Sequence, residues 1–160
     1  HSFICPCGQV RLWYGEVMTA QNSQHLLDWY SFSHLLFGML VYGAMRMLLP
    51  EWSLRKRLVV TAMIAAGWEI GENTPFLIDR YRDVTVSVNY TGDSVLNALG
   101  DTLAALAGFA LAATLPVWGS AALFVAVEAL TLWMARDGLL LSVLMVTAPL
   151  DVIRHWQAGA

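Results

Sequence analysis

The sequence predicts an all-α membrane protein, a multi-pass helical bundle of four or five transmembrane helices with a polar cap on its outer face. Three observations carry that expectation. Hydrophobic residues make up 58% of the 160 positions and charged residues only 13%, with a mean hydropathy of +0.56; soluble domains hold about a quarter charged residues. Several stretches approach the roughly 20 apolar residues that cross a bilayer. Prolines and tryptophans stand at the ends of those stretches, where helix stops and interfacial aromatic belts belong. One domain is expected, 1–160, with residues 1–31 as an outer polar segment and 32–153 as the bundle, interrupted by a polar insertion at 79–93. A net charge of −3 with scattered Lys and Arg provides no basic field, which excludes nucleic acid as a partner. No signal-peptide core appears before residue 31, so a leader or a further membrane helix could precede His1.

Taken in order, residues 21–30 (QNSQHLLDWY) read as a short helix lying at the interface. Helix A is expected over about 32–49, ending before Pro50, and helix B over about 56–74, meeting Pro75. Helix C covers about 94–115, ending before Pro116, and helix D about 118–135. Helix E, about 138–153, is short and contains Pro149, which leaves the span count at four or five. Between B and C, the β-branched alternation of VTVSV (84–88) favours an extended strand or short hairpin. Such a segment belongs in water or on the protein surface, because unsatisfied backbone is costly in hydrocarbon.

The A–B connection carries Arg46, Arg55, Lys56 and Arg57, the densest basic group, and the positive-inside rule sets it in the cytoplasm. Alternation then puts residues 1–31, the 79–93 insertion and the Arg136–Asp137 turn on the outer face. Trp13, Trp29, Trp52, Trp118, Trp133 and Trp156 all fall near expected helix ends.

The apolar pattern is broken by polar groups with helical spacing. Glu69, Glu72 and Asn73 share one face at the outer end of helix B; Asp93, Asn97 and Asp101 share one at the start of helix C. His25, Asp28 and His34 precede or open helix A, and Arg80, Tyr81 and Arg82 follow helix B. The topology converges all of them on the outer leaflet, and a charge in that setting normally faces the bundle and a partner.

Three readings of the cluster stay open. One is a structural network in which Arg80 or Arg82 pairs with Glu69 or Glu72, Asp93 caps helix C and Asn97 bridges helices. The second is a divalent metal site, with His25, Asp28, His34 and Asp93 as candidate ligands for Zn²⁺, Mn²⁺ or a similar ion. The third is proton-transfer catalysis, with Glu69, Glu72 and Asp101 as candidate catalytic acids and Arg80, Tyr81, Arg82, Asn73 and Asn97 as candidate substrate-binding residues.

Elsewhere, a bridge between Cys5 and Cys7 across one residue is expected to be strained, so on the oxidising side they read as two thiols or as pairing with a partner, with metal ligation by the pair a lesser reading. Glu128, alone in helix D, is a functional candidate by its depth and a neutral hydrogen-bonded group by default. Gly100, Ala104 and Gly108 supply small-residue spacing for close helix packing, and Gly38, Gly43 and Gly67 read the same way.

CPCG (5–8), LWYGEV (12–17), SQHLLDWYSFSH (23–34), WEIGENTP (68–75), IDRYRD (78–83) and YTGDSVLNALGD (90–101) together resemble a family of alphaproteobacterial inner-membrane proteins known only as a domain of unknown function. The resemblance extends to about residue 118 and implies a bacterial inner membrane; it implies no activity. The acidic arrangement is also distantly similar to VanZ-like membrane proteins, linked to glycopeptide-antibiotic tolerance.

Two function classes follow. The first reading is an accessory or assembly subunit of a larger membrane complex, because a catalytic site usually shows tighter ligand spacing; the alternative is a metal-assisted membrane hydrolase acting on a lipid or cell-envelope substrate. In the second, Glu72 or Glu69 is the base, His25, His34 and Asp93 bind the ion, and Arg80 or Arg82 holds an anionic head group.

Overall fold

The structure is a computed structural model and describes residues 1–85 and 89–159. Seven helices follow in order: α1 (Trp29–Leu48), α2 (Leu54–Glu72), α3 (Pro75–Val84), α4 (Val95–Thr114), α5 (Val117–Ala135), α6 (Leu139–Thr147) and α7 (Asp151–Ala158). Among the described residues no strand forms; Trp13 and Leu27 make an isolated bridge.

Local chemistry sets the boundaries. The Asp28 carboxylate accepts the backbone N–H of Tyr30 and Ser31 while the Ser31 hydroxyl accepts that of Asp28, a reciprocal cap for α1. Ser53 and Ser94 cap α2 and α4 by accepting from the N–H of Lys56 and Asn97. Pro75 and Pro116 stop one helix and admit the next, because proline suits a first turn and cannot continue an interior.

Three expectations are corrected. Residues 21–28 are not helical; Tyr14 N–H donates to Leu27 O and Leu26 N–H to Arg11 O, so this backbone pairs with residues 11–14 instead. The polar insertion begins as helix, since α3 runs through Val84 and Thr85 N–H still donates to Tyr81 O; the rest of the expected strand, 86–88, lies outside the described residues. Helix E divides into α6 and α7 because Pro149 disfavours helical backbone at Ala148 and offers no N–H of its own.

The core forms where α1 lies along α4 in the same direction. Leu36, Met39, Tyr42, Phe109 and Ala112 are buried together, with the Tyr42 and Phe109 rings edge to face at 5.1 Å. Glycine permits the approach. A Cβ on Gly38 would fall 1.8 Å from Ala105 O, and one on Gly108 1.8 Å from Leu35 O. Gly100 meets Leu26 O in the same way. The small residue between them is Ala105, fully buried, rather than Ala104, which lines an outer groove. Gly43 and Gly67 have nothing within 4 Å and play no such role in the described chain.

Two helices, α4 and α5, are long and apolar enough to cross a membrane; four or five were expected. The helices α1 and α2 match them in length, 20 and 19 residues, but carry polar and charged residues near both ends. The helix directions bring the start of α1, the end of α2, the start of α4 and the end of α5 to one end of the bundle. At the other end, Arg57 donates to Leu49 O and Pro50 O, closing the end of α1, and Lys56 lies 4.0 Å over the Trp52 ring.

Candidate functional site

At the polar end His34, in the second turn of α1, stands among three acids. Its Nδ1 is 3.1 Å from Glu69 Oε1, and its Nε2 is 4.0 Å from Glu72 Oε2 and 3.9 Å from Asp101 Oδ2. The spacings on α2 (69, 72) and α4 (97, 101) hold these carboxylates inward, as helical periodicity requires. His34, Glu69 and Glu72 each offer a ligand atom, all within 4.8 Å of one another.

Hydrogen bonding divides the buried acids into two kinds. Asp28 accepts from Tyr30 N–H (2.8 Å), Ser31 N–H (3.3 Å), Ser23 N–H (3.0 Å) and Asn97 Nδ2 (3.4 Å). Asp93 accepts from Asn73 Nδ2 at 2.8 Å and Tyr90 OH at 3.0 Å. Asp101 accepts from the Ser31 hydroxyl at 2.5 Å and keeps its other oxygen toward His34. Glu69, only 5% exposed, has neither oxygen in a hydrogen bond, and Glu72 Oε2 is also without one. Buried polar atoms are almost always paired, so a carboxylate with neither oxygen bonded, and a second with one bare oxygen, beside an imidazole need an explanation.

Asn73 and Asn97, candidate substrate-binding residues, join elements of the fold. Asn73 donates to Glu69 O and Asp93 and accepts from Asp93 N–H at 2.6 Å, tying the end of α2 to the loop before α4. Asn97 donates to His25 O at 2.8 Å and to Asp28, tying α4 to the turn before α1. Arg80 donates to Val146 O at 3.0 Å, and Arg82 to Tyr90 O and Asp79. Neither arginine pairs with Glu69 or Glu72, because α3 turns their side chains toward α6 and its own loop. Tyr81 does reach the site, within hydrogen-bonding range of Glu72 alongside Trp68.

The expected metal ligands also separate. His34 alone joins the acid centre. Asp28 and Asp93 are taken up by the bonds above, and His25 lies beside Tyr14, Cys5 and Cys7. Those cysteines are joined to each other as a disulfide. The ligand-like atoms at the centre thus come from Glu69 and Glu72, expected as catalytic acids. Glu128, the other candidate, accepts from Leu139 N–H at 3.1 Å and Leu140 N–H at 2.9 Å, which caps α6.

A polar cavity of about 40 Å³ lies over His34, Glu72, Asp93 and Asp101, walled by Tyr30, Tyr81, Tyr90, Asp137 and Ser142. An apolar cavity of about 260 Å³ adjoins it, sharing His34, Glu72 and Tyr81 and continuing between Phe37, Trp68, Leu139, Val143 and Val146. Sequence reasoning missed Tyr30, Tyr90, Asp137 and Ser142, and no local pattern ties them to the centre. Burial raises the carboxyls around the mouth: Asp28 to about 6, despite the N–H of Tyr30; Asp93 to about 6, despite Asn73 and Tyr90; and Asp137 to about 6, despite the N–H of Gly138. Burial, then the nearby acids, pushes the Tyr81 and Tyr90 hydroxyls up. Burial and then Arg11 lower His25, keeping it neutral.

Fold and site together define an all-helical protein with an imidazole–carboxylate centre buried at one end of its bundle. The chain matches the family model described as "Protein of unknown function (DUF2585)" over residues 1–159. It is 50% identical over 156 residues to a UPF0314 protein of Paracoccus denitrificans, covering 98% of this chain and 81% of that one. A UPF0314 protein of Sphingopyxis alaskensis is 50% identical over 156 residues (98% and 83%), and one of Sinorhizobium fredii 48% over 157 (98% and 80%). The chain belongs to this bacterial family. The likeness to VanZ-like proteins is not shown by these matches, and no solved structure matches the chain.

Proposed function

We propose that this chain is a metal-assisted membrane hydrolase acting on an amphiphilic lipid or cell-envelope substrate. The observation that carries the reading is the convergence of His34, Glu69 and Glu72 within 4.8 Å, with both Glu69 oxygens lacking a hydrogen-bond donor. A divalent ion answers both features at once. It would neutralise acids that otherwise repel one another, and it would take up lone pairs of Glu69 and Glu72 that no hydrogen bond satisfies. Imidazole with carboxylates suits Zn²⁺ or Mn²⁺. Held there, such an ion would bring the pKa of a bound water toward neutral; Asp101, held by Ser31 and facing His34, is placed to take that proton and to return it to the leaving group of an ester or amide.

The adjoining apolar cavity supplies the substrate class, because a hydrocarbon chain within it ends at Glu72 and His34. In this reading α1, α2, α4 and α5 span the bacterial inner membrane, with α6 and α7 as a broken half-span. Polar groups at both ends make those helices read as less apolar: Ser31, His34 and Arg46 on α1, and Arg55, Lys56, Arg57, Glu69 and Glu72 on α2. Arg46, Arg55, Lys56 and Arg57 lie at the cytoplasmic end, which sets the centre and residues 1–31 toward the periplasm.

The test is elemental analysis of purified protein. One divalent ion per chain, lost in Glu69→Gln and Glu72→Gln and kept in Asp101→Asn with hydrolysis of lipid extracts abolished, is the expected result. Metal-free protein with the same phenotype as Glu72→Gln sinks the hydrolase. A second reading, an accessory subunit of a larger membrane complex, is favoured by the outer face of α5, where Trp118, Val125 and Trp133 are exposed. Co-migration with other proteins on native electrophoresis after mild extraction, with no bound metal, supports that reading instead.

A further inference from the structure

A second cluster of metal-ligating side chains lies in the N-terminal segment, apart from the acid centre. The sulfurs of Cys5 and Cys7 and a ring nitrogen of His25 fall within 4.8 Å of one another. In the structure the two sulfurs are bonded. A bridge between positions two apart closes so short a loop that it removes little entropy from the unfolded chain. Cross-linking distant parts of the fold is therefore not what this pair does. Cys5 is buried and Cys7 exposed, so an incoming thiol can reach the outer sulfur.

His25 supplies the independent observation. It is 1% exposed. Its Nε2 pairs with Gln21 Oε1 at 3.3 Å, and its Nδ1 is buried without any hydrogen-bond partner. The Tyr14 ring, 4.9 Å away, holds the imidazole plane. Around the sulfur the backbone is already arranged: Cys7 N–H donates to Cys5 Sγ at 3.2 Å, and Gly8, at φ +75°, turns the chain so that its N–H reaches Cys5 O. An N–H aimed at a sulfur favours its thiolate.

We propose that Cys5, Cys7 and His25 form a Cu(I) site when the disulfide is reduced. The disulfide takes two electrons and two protons from a dithiol reductant, which becomes a disulfide in turn; Cu(I) then displaces the two thiol protons. Two thiolates and an imidazole are soft donors that select Cu(I) over the harder ions suited to carboxylates. Structural zinc takes four ligands, and among the described residues no fourth Cys, His, Asp or Glu joins this group.

The test uses the full chain in detergent. Protein reduced with dithiothreitol and exchanged into anaerobic buffer is titrated with Cu(I) against a chromophoric chelator, beside oxidised protein. Reduced protein should bind one equivalent and oxidised protein none, with X-ray absorption showing sulfur and nitrogen neighbours. His25→Gln should weaken binding about 10-fold or more, in line with losses at metal sites, with an unchanged circular-dichroism spectrum. Cys5→Ser/Cys7→Ser should abolish it. Repeating the titration in Glu69→Gln/Glu72→Gln protein separates this site from the acid centre; the copper count should not change. Equal Cu(I) binding by reduced and oxidised chains overturns the proposal, as does retention of Zn(II) in preference to Cu(I).

Discussion

Glu69 and Glu128 lie in two regions with similar surroundings and opposite meanings. Both are buried, 5% and 7% exposed, near the same end of the bundle. Glu128 accepts two backbone N–H groups from the first turn of α6, where a helix N-terminus favours negative charge. Glu69 accepts none and faces His34, with Glu72 close by. A buried acid with its donors supplied by the fold is a structural cap. A buried acid without them is strain that a ligand can relieve. Depth in an apolar helix therefore does not separate function from structure; the donor inventory does.

The largest effect expected from that contrast is on metal content. Glu69→Gln/Glu72→Gln should lower bound divalent metal by 100-fold or more, about what losing direct ligands implies beyond the 10–100-fold of outer partners. Its thermal midpoint in detergent should hold or rise, since crowded acids are removed. Glu128→Gln should keep the metal, as measured by elemental analysis. Equal metal loss in both would break the comparison.

Next in size is the close packing that holds the two regions together. Gly108→Val should lower stability by about 3 kcal/mol or more, because its side chain would enter the Leu35 carbonyl. Gly67→Ala, with open space around it, should change stability by less than about 1 kcal/mol. Denaturant unfolding in mixed micelles measures both. Glu128→Ala should fall between them, about 2 kcal/mol, from two part-buried N–H groups left unpaired; a loss confined to α6, seen by hydrogen exchange, would sharpen the assignment.

The pH dependence of stability tests the burial of the acids at the mouth of the site. In the unfolded chain aspartates release their protons near pH 4, whereas Asp28, Asp93 and Asp137 in the fold do so at about 6. Between those values the folded chain holds more protons, so stability falls as pH rises through that window and levels off above it. Thermal midpoints of metal-free protein at pH 5 and pH 7 should show the drop. A midpoint that climbs over the same interval would contradict the burial of these groups.

Much of the frame was legible in the residues. Pro50, Pro75 and Pro116 mark helix ends, whereas the cap of α4, expected at Asp93, is Ser94 one residue on. The inward faces of Glu69, Glu72, Asn97 and Asp101 follow from helical spacing. The site was read less well. His25, Asp28 and Asp93 looked like ligands because their type and end of the bundle were right, yet Asp28 caps α1, Asp93 is held by Asn73 and Tyr90, and His25 belongs with the cysteines. Arg80 and Arg82 looked like partners of the glutamates, but a helix at 75–84 turned them elsewhere.

By itself, then, the sequence determined the ends of the four long helices, which side of each is polar, and that helix C carries small residues for close packing. Those properties depend on neighbours within a turn or two. The tertiary structure alone decided which acids found donors and which did not. The donors come from far along the chain, Ser31 for Asp101 and Leu139 for Glu128, and hydrogen bonds reach only about 3 Å. Helix packing, not spacing, sets distances that fine.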